Sequence, residues 1–230
     1  MNEAVQRRVN VGLISGLLSF VAGYADTTTF VCANRLFSAH VTGNFVIFVF
    51  SVVTNAHLSV WMNLLSFPFF VAAVAVSSWV VNHSRYPGNV LRIEALLLLI
   101  TGVTAAILKL SGRETSLAIF LLAMTIVFAM GLQNGFGKLY PSTTYSATTI
   151  MTGNVTQITL DFMRYRRQGV SSVELNHALK RQGLVIGFFF IGCLSGGVLS
   201  HFAGLPAIIL PGIIMLYFWT MRKKLIWLDP

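Results

Sequence analysis

Residues 182–221 read QGLVIGFFFIGCLSGGVLSHFAGLPAIILPGIIMLYFWTM and contain no Asp, Glu, Lys or Arg. A helix needs roughly 20 mostly apolar residues to cross the hydrocarbon core of a bilayer, so this stretch is long enough for two crossings. Three further charge-free stretches cover residues 36–84, 115–137 and 139–160. Together they predict an integral membrane protein.

The composition of the whole chain agrees with this prediction. Hydrophobic residues make up 55% of the 230 residues, charged residues only 10%, and the mean hydropathy is +0.75, whereas about 25% of the residues of a soluble domain are charged. Runs such as 96–100, LLLLI, lack the strict alternation of a transmembrane β-strand. We therefore predict an all-α, polytopic helical membrane protein whose single membrane domain is 1–230.

The positions of the basic residues in the sequence indicate how the chain is oriented in the membrane. The net charge is +9, but Lys and Arg cluster at the ends of the apolar stretches, which is typical of contacts with anionic lipid and of topology signals. We therefore expect the lipid bilayer as a partner and no nucleic acid. Cys32 and Cys193 both lie in apolar surroundings, so no disulfide, metal site or cofactor is predicted.

The apolar stretches predict seven or eight transmembrane helices. Eight would lie at about 10–31, 38–54, 62–82, 92–110, 116–137, 144–162, 182–201 and 205–221. With the N-terminus inside, twelve Lys and Arg residues fall inside and four outside, namely Arg35, Arg85, Arg92 and Lys138, which follows the positive-inside rule. Both termini are then cytoplasmic. Loss of either the short second span or the fourth, which has only 14 uncharged residues between Glu94 and Lys109, would give seven crossings and reverse part of this topology.

Two polar motifs occur twice in the same order. Gly23–Asp26 precedes Thr42–Asn44, and Gly131–Asn134 precedes Thr152–Asn154. The first elements are offset by 108 residues and the second by 110. We therefore predict an internal duplication with repeats at about 10–110 and 115–222. An even number of spans in each repeat makes the copies parallel and an odd number inverts them, and the sequence leaves this choice open.

These motifs also carry a family resemblance. The elements GYAD (23–26), SAHVTGN (38–44), MGLQN (130–134) and MTGN (151–154) resemble those of the YoaK-like family of bacterial inner-membrane proteins, a domain of unknown function. The resemblance spans nearly the whole chain. It implies a multi-pass protein of the bacterial cytoplasmic membrane, and it implies no substrate and no reaction.

Asp26 is the sharpest candidate for a functional residue. It shares one helical face with small residues at 3- and 4-residue spacings, Gly12, Gly16, Ser19 and Gly23, and such a face lets another helix approach closely. Asp26 is therefore predicted to point into the protein. An acid inside a membrane is functional by default. The alternative is a carboxylate that caps a broken helix or bonds to Asn44.

The repeated Thr-Gly-Asn elements could coordinate an ion or a polar solute at a broken helix. The alternative is that their Asn and Thr side chains only join helices together. Asn154, Gln157 and Asp161 form a polar stripe on one helical face, although Asp161 beside Arg164 reads as a boundary ion pair. The predicted pathway residues are Asp26, Thr42, Gly43, Asn44, Asn134, Thr152, Gly153, Asn154 and Gln157.

The functional hypothesis is a secondary transporter or channel-like permease for a small polar solute or ion, with its pathway between the two repeats. The alternative is a non-transporting interaction or auxiliary subunit. Gly183, Gly187, Gly192 and Gly196 form small-xxx-small pairs that predict close helix packing, either within the chain or in a homo-oligomer. The sequence contains no His-Glu-x-x-His, Walker or Cys-x-x-Cys motif, so no enzyme is expected.

Overall fold

The computed structural model describes residues 3–54, 61–141, 151–168 and 173–220. These residues form eight α-helices and one short 3₁₀ helix, and they contain no strand. The helices are α1 (Glu3–Cys32), α2 (Gly43–Val53), α3 (Trp61–His83), α4 (Asn89–Leu110), α5 (Ser116–Leu139), α6 (Met151–Gln168), α7 (Val173–Ala203) and α8 (Ile209–Thr220), with the 3₁₀ helix Leu205–Ile208 before α8.

The described part of the chain is a helical membrane protein. Five of its helices are long and apolar enough to cross a membrane: Val11–Cys32 in α1, Asn63–His83 in α3, α4, α5 and Leu179–Ala203 in α7. Large apolar side chains such as Phe190 and Phe202 are more than half exposed, as expected where lipid replaces water as the solvent. The apolar segments Gly43–Val53 and Leu205–Thr220 are shorter.

The end of the bundle where α1 terminates is called end A. There Cys32 and Ala33 line a small cavity of about 60 Å³ with Asn63 near the start of α3 and Ser116 at the start of α5. The last turn of α7 is also at end A, because the thiol of Cys32 lies 4.0 Å from the carbonyl oxygen of Ser200. α1 and α7 therefore run toward end A, and α3 and α5 run away from it.

The opposite end of the bundle, where α1 begins, is called end B. α4 and α8 are antiparallel between the two ends. The guanidinium of Arg92, near the start of α4, lies over the ring of Trp219 at the end of α8. The ammonium of Lys109, at the end of α4, donates to the carbonyl oxygen of Ala203 at end A, 2.7 Å away. α4 therefore runs from end B to end A, and α8 returns to end B.

α2 differs from the crossing helix predicted over about 38–54. It begins at Gly43 and has 11 residues, or about 16 Å of helix, roughly half the hydrocarbon thickness. It lies antiparallel to the first part of α3, with ring contacts from Phe45 to Phe67 and from Phe48 to Trp61. Because α3 starts at end A, α2 runs back to end A and does not connect the two ends.

α6 has the corresponding course at the other end. Ile158 lies beside Gly183 of α7, and Asp161 accepts a hydrogen bond from Gln182. These contacts make α6 antiparallel to the start of α7, so α6 runs toward end B. The sixth predicted span, about 144–162, lies only partly within the described residues. Its described part, from Met151, is not among the helices apolar enough to cross.

Candidate functional site

The predicted contact face of α1 packs against α7. A Cβ at Gly23 would overlap the carbonyl oxygen of Phe189, and a Cβ at Gly16 would lie 3.3 Å from the ring of Phe188. Close packing on this face is therefore confirmed at both glycines. Asp26 follows Gly23 by one turn, six residues before α1 ends at Cys32, so it lies about 9 Å inside end A.

Asp26 binds the loop that follows α1. Its side chain is almost fully buried, and Oδ1 accepts the N–H of Ala39 at 2.8 Å and the N–H of His40 at 3.4 Å. Its Oδ2 lies 2.7 Å from Nδ1 of the His40 imidazole. A buried carboxylate needs such partners because it has lost water. Residues 37–40, named here the 37–40 segment, thus turn back from end A to the depth of Asp26.

Asn44 holds the same segment from the other side. Its Oδ1 accepts the N–H of Phe37 and its Nδ2 donates to the carbonyl oxygen of Phe37, both at 2.8 Å. Its Nδ2 also donates to Oγ of Ser66 in α3 at 2.8 Å. Asp26 therefore does not bond to Asn44, as one interpretation of the sequence had it. Instead, both residues bind the 37–40 segment and connect α1, α2 and α3 through it.

A cavity of about 510 Å³ opens beside this pair. It lies between α1, the 37–40 segment with the start of α2, and α7. The Asp26 carboxylate and the one-third-exposed His40 imidazole contribute its ionisable groups. The other lining residues are Thr27, Phe30, Phe37, Thr42, Gly43, Phe189 and Cys193. Three predicted pathway residues, Asp26, Thr42 and Gly43, thus meet around one cavity.

Asn134 lies elsewhere in the bundle. It is half-buried on α5, next to Gln133, whose Nε2 donates to the carbonyl oxygen of Leu18 at 2.9 Å. Leu18 precedes Asp26 by eight residues on α1, or about 12 Å along the helix. Asn134 therefore lies closer to end B than Asp26 does. The predicted single pathway, with both motif pairs facing each other, does not match these positions.

The second Thr-Gly-Asn element starts α6. Asn154 is buried, whereas Thr152 and Gly153 are exposed. Gln157 donates to Asp161 at 2.9 Å, and the carboxylate of Asp161 lies 3.8 Å from the guanidinium of Arg164. The ion pair predicted between Asp161 and Arg164 is therefore present. Gln157 belongs to this contact near end B and not to the cavity beside Asp26.

Comparison with known proteins gives a family and no activity. Residues 14–221 match the family described as "Protein of unknown function (DUF1275)". The chain belongs to this family. The YoaK-like resemblance is consistent with the match. No curated protein and no solved structure matches the chain.

In this DUF1275 chain, sequence reasoning missed the part of the site that α7 supplies. Phe189 and Cys193 line the cavity but carry no polar motif. The available signal was Gly192 and Gly196, each of which lies against the backbone of α1 at Phe20 or Tyr24. That pair confirms packing within the chain. Gly183 and Gly187 do not take part, since a Cβ at Gly187 would meet nothing within 4 Å.

Proposed function

We propose that the protein is a permease of the bacterial cytoplasmic membrane for a small polar solute or cation, and that its pathway opens at the cavity beside Asp26 and His40. The observation that carries the proposal is the position of this pair. A carboxylate and an imidazole lie in hydrogen-bond contact about 9 Å inside end A and line a cavity of about 510 Å³.

The cost of burying Asp26 supports a functional role. An acidic side chain inside a bilayer costs about 2.5–3.5 kcal/mol on insertion scales, and such residues mark substrate or ion pathways. The backbone N–H groups of the 37–40 segment and the His40 imidazole offset part of this cost. A carboxylate needed only to hold a loop could be replaced by an uncharged amide, as Asn44 demonstrates at the same segment.

The chemistry of the cavity suits a cation or a hydrogen-bond donor. Asp26 offers acceptor oxygens, and the His40 imidazole in contact with it can take up and release a proton. Thr42 adds a hydroxyl. Aromatic rings of Phe30, Phe37 and Phe189 form the apolar part of the wall. This mixture of apolar walls and a few convergent polar groups is typical of sites for small molecules.

Flux through proteoliposomes tests the proposal. Vesicles containing the purified protein are compared with empty vesicles for proton flux, read with an entrapped pH dye, and for swelling in glycerol, urea, amino acids and alkali-metal salts. We expect flux of at least one probe, and we expect Asp26→Asn to reduce it at least tenfold. Glu114→Gln is the matched control, because Glu114 is an exposed acid just before α5.

Two outcomes contradict the proposal. Flux equal to that of empty vesicles for every probe removes the permease function. Full flux in Asp26→Asn removes the carboxylate from the pathway, because the amide keeps an acceptor for the Ala39 N–H while losing the charge.

A second candidate function is an interaction subunit that assembles with a second copy of the chain. The observation that favours it is the unpacked face of α7 at Gly187, where no atom of the described chain lies within 4 Å of a built Cβ. Small residues on a membrane helix let two helices approach closely. Light scattering in detergent tests it: a dimer that Gly187→Leu converts to monomer supports this candidate, and a monomeric parent protein excludes it.

A further inference from the structure

The helices of the two halves of the chain pack against each other in reciprocal pairs. On α1, Gly23 lies against the carbonyl oxygen of Phe189 in α7. On α5, a Cβ at Gly131 would lie 3.0 Å from the carbonyl oxygen of Phe70 in α3. The two glycines are the motif positions offset by 108 residues, and the two phenylalanines, 119 residues apart, both lie in the third helix of their half. The first helix of each half thus packs on the third helix of the other.

A second reciprocal contact lies between α4 and α8. A Cβ at Gly102 in α4 would overlap the side chain of Ile209 in α8, and a Cβ at Gly212 in α8 would lie 2.8 Å from Cγ of Leu99 in α4. Gly212 follows Gly102 by 110 residues, and Ile209 follows Leu99 by 110 residues. Position i of one half therefore contacts position j of the other, and j contacts i, which is the property of a twofold axis.

The direction of the helices fixes the orientation of this axis. α1 runs from end B to end A, whereas its counterpart α5 runs from end A to end B. The second helices are also opposed, because α2 returns to end A beside Trp61 and α6 returns to end B beside Gln182. An axis that exchanges the two ends lies in the plane of the membrane.

We propose that the protein is an inverted repeat, in which each half contributes three crossing helices and one re-entrant helix. The crossing helices are α1, α3 and α4 in the first half and α5, α7 and α8 in the second. α8 crosses together with the 3₁₀ helix before it, because the segment from Ala203 to Trp219 contacts α4 at both of its ends, at Lys109 and at Arg92. The re-entrant helices, α2 and α6, enter from opposite ends. This proposal is independent of whether the protein transports anything.

The basic residues give this arrangement an orientation. Among the described residues, ten Lys and Arg lie at end B and three at end A. Those at end A are Arg35, Lys109 and Arg113. Since Lys and Arg are enriched in cytoplasmic loops, end B is cytoplasmic. The Asp26 cavity then lies in the outer half of the membrane, and Asn134 is its uncharged counterpart in the inner half.

Cysteine labelling distinguishes this topology from eight crossings. In a Cys32→Ser, Cys193→Ser background, single cysteines replace exposed arginines, and intact cells are treated with a membrane-impermeant maleimide before and after permeabilisation. Arg35→Cys and Arg167→Cys are references, outside and inside in both topologies. We expect Arg113→Cys to be labelled in intact cells, as the outside reference Arg35→Cys is. We expect Arg85→Cys to be labelled only after permeabilisation, as the inside reference Arg167→Cys is.

The eight-crossing topology requires the reverse. If Arg85→Cys labels in intact cells and Arg113→Cys does not, the inverted repeat is overturned. A variant that is not inserted is recognised because it also fails to label after permeabilisation. Ser84→Cys then replaces Arg85→Cys, and Ser111→Cys replaces Arg113→Cys, each in the same loop.

Discussion

At the scale of single residues, Asp26 and Asn44 hold the 37–40 segment by hydrogen bonds to different parts of its backbone. Asp26 binds the backbone of Ala39 and His40 from α1, and Asn44 binds both backbone groups of Phe37 from α2. A backbone that enters a membrane without helical hydrogen bonds must find other partners. These two side chains supply them. The segment is therefore fixed in place, and His40 is held against the carboxylate.

Asn44→Ala tests this role through stability. The change leaves the N–H and the carbonyl oxygen of Phe37 without their amide partner and removes one bond to Ser66. A buried group left unsatisfied costs about 1–3 kcal/mol, so we expect a loss of about 2–4 kcal/mol in the free energy of unfolding. Ser51→Ala is the control, because the Ser51 hydroxyl bonds only to its own helix at Ile47.

Thermal unfolding in detergent measures both variants. A marked fall in the midpoint for Asn44→Ala, with little change for Ser51→Ala, is the expected result. Equal midpoints for the two variants would show that Asn44 does not hold the segment.

The sequence predicted the inward direction of Asp26 because the small residues at 3- and 4-residue spacings define its helical face. It could not predict the partners. His40 follows Asp26 by 14 residues, and no local pattern in the sequence pairs the two side chains. Phe189 and Cys193 come from a helix more than 160 residues away, and nothing in a single sequence pairs α1 with α7.

At the scale of elements, glycines set how closely the helices approach. Gly23, Gly192 and Gly196 let the backbones of α1 and α7 touch along several turns. In lipid, where apolar burial between helices gives little driving force, such close van der Waals packing and interhelical hydrogen bonds hold a bundle together. The glycine positions therefore determine which helix pairs form.

Gly23→Ala and Gly187→Ala make a matched pair of substitutions. At Gly23 the new methyl group would overlap the carbonyl oxygen of Phe189, so α1 and α7 must separate, and overpacking of this kind costs about 1–3 kcal/mol. At Gly187 it meets nothing within 4 Å, and alanine favours helix by up to about 1 kcal/mol. We expect opposite shifts of the unfolding midpoint. A loss of similar size in both would mean that Gly187 is also packed, against a second copy of the chain.

The course of α2 could not be predicted from the sequence. Hydropathy located the apolar stretch that contains α2 but not its direction, because a half-length helix that returns and a full helix that crosses are equally apolar. Residues 36–42 contain no proline or glycine to break the helix. The turn back into the protein depends on tertiary bonds to Asp26 and Asn44, which a local pattern does not carry.

At the scale of the whole molecule, the proposed inverted repeat places the Asp26 cavity in the outer half of the membrane alone. In that arrangement the carboxylate of Asp26 has the amide of Asn134 as its counterpart, so the two motifs match in position but not in charge. The permease proposal therefore requires the cavity beside Asp26 to be reached by water from end A.

The reactivity of Cys193 measures whether water reaches the cavity from end A. In a Cys32→Ser background we expect Cys193, which lines the cavity, to react with a charged methanethiosulfonate added outside the cell. These reagents attack the thiolate, which needs a hydrated site. Val198→Cys in a chain without the native cysteines is the control, because Val198 is nearer to end A on α7 but its side chain is exposed on the outer surface of the bundle. Equal rates at the two positions would mean that the cavity opens to lipid.

The pairing of α1 with α7 also has a consequence for biosynthesis. Cys32 and Ser200, which meet at end A, are 168 positions apart, and at about 5–20 residues per second a ribosome needs roughly 10–30 s to cover that distance. α1 is the least apolar of the five long helices and the most buried. During that interval it must stay in the bilayer with its serine- and aspartate-bearing face uncovered, so chains truncated before α7 should depend on insertion chaperones and become early targets of membrane proteases.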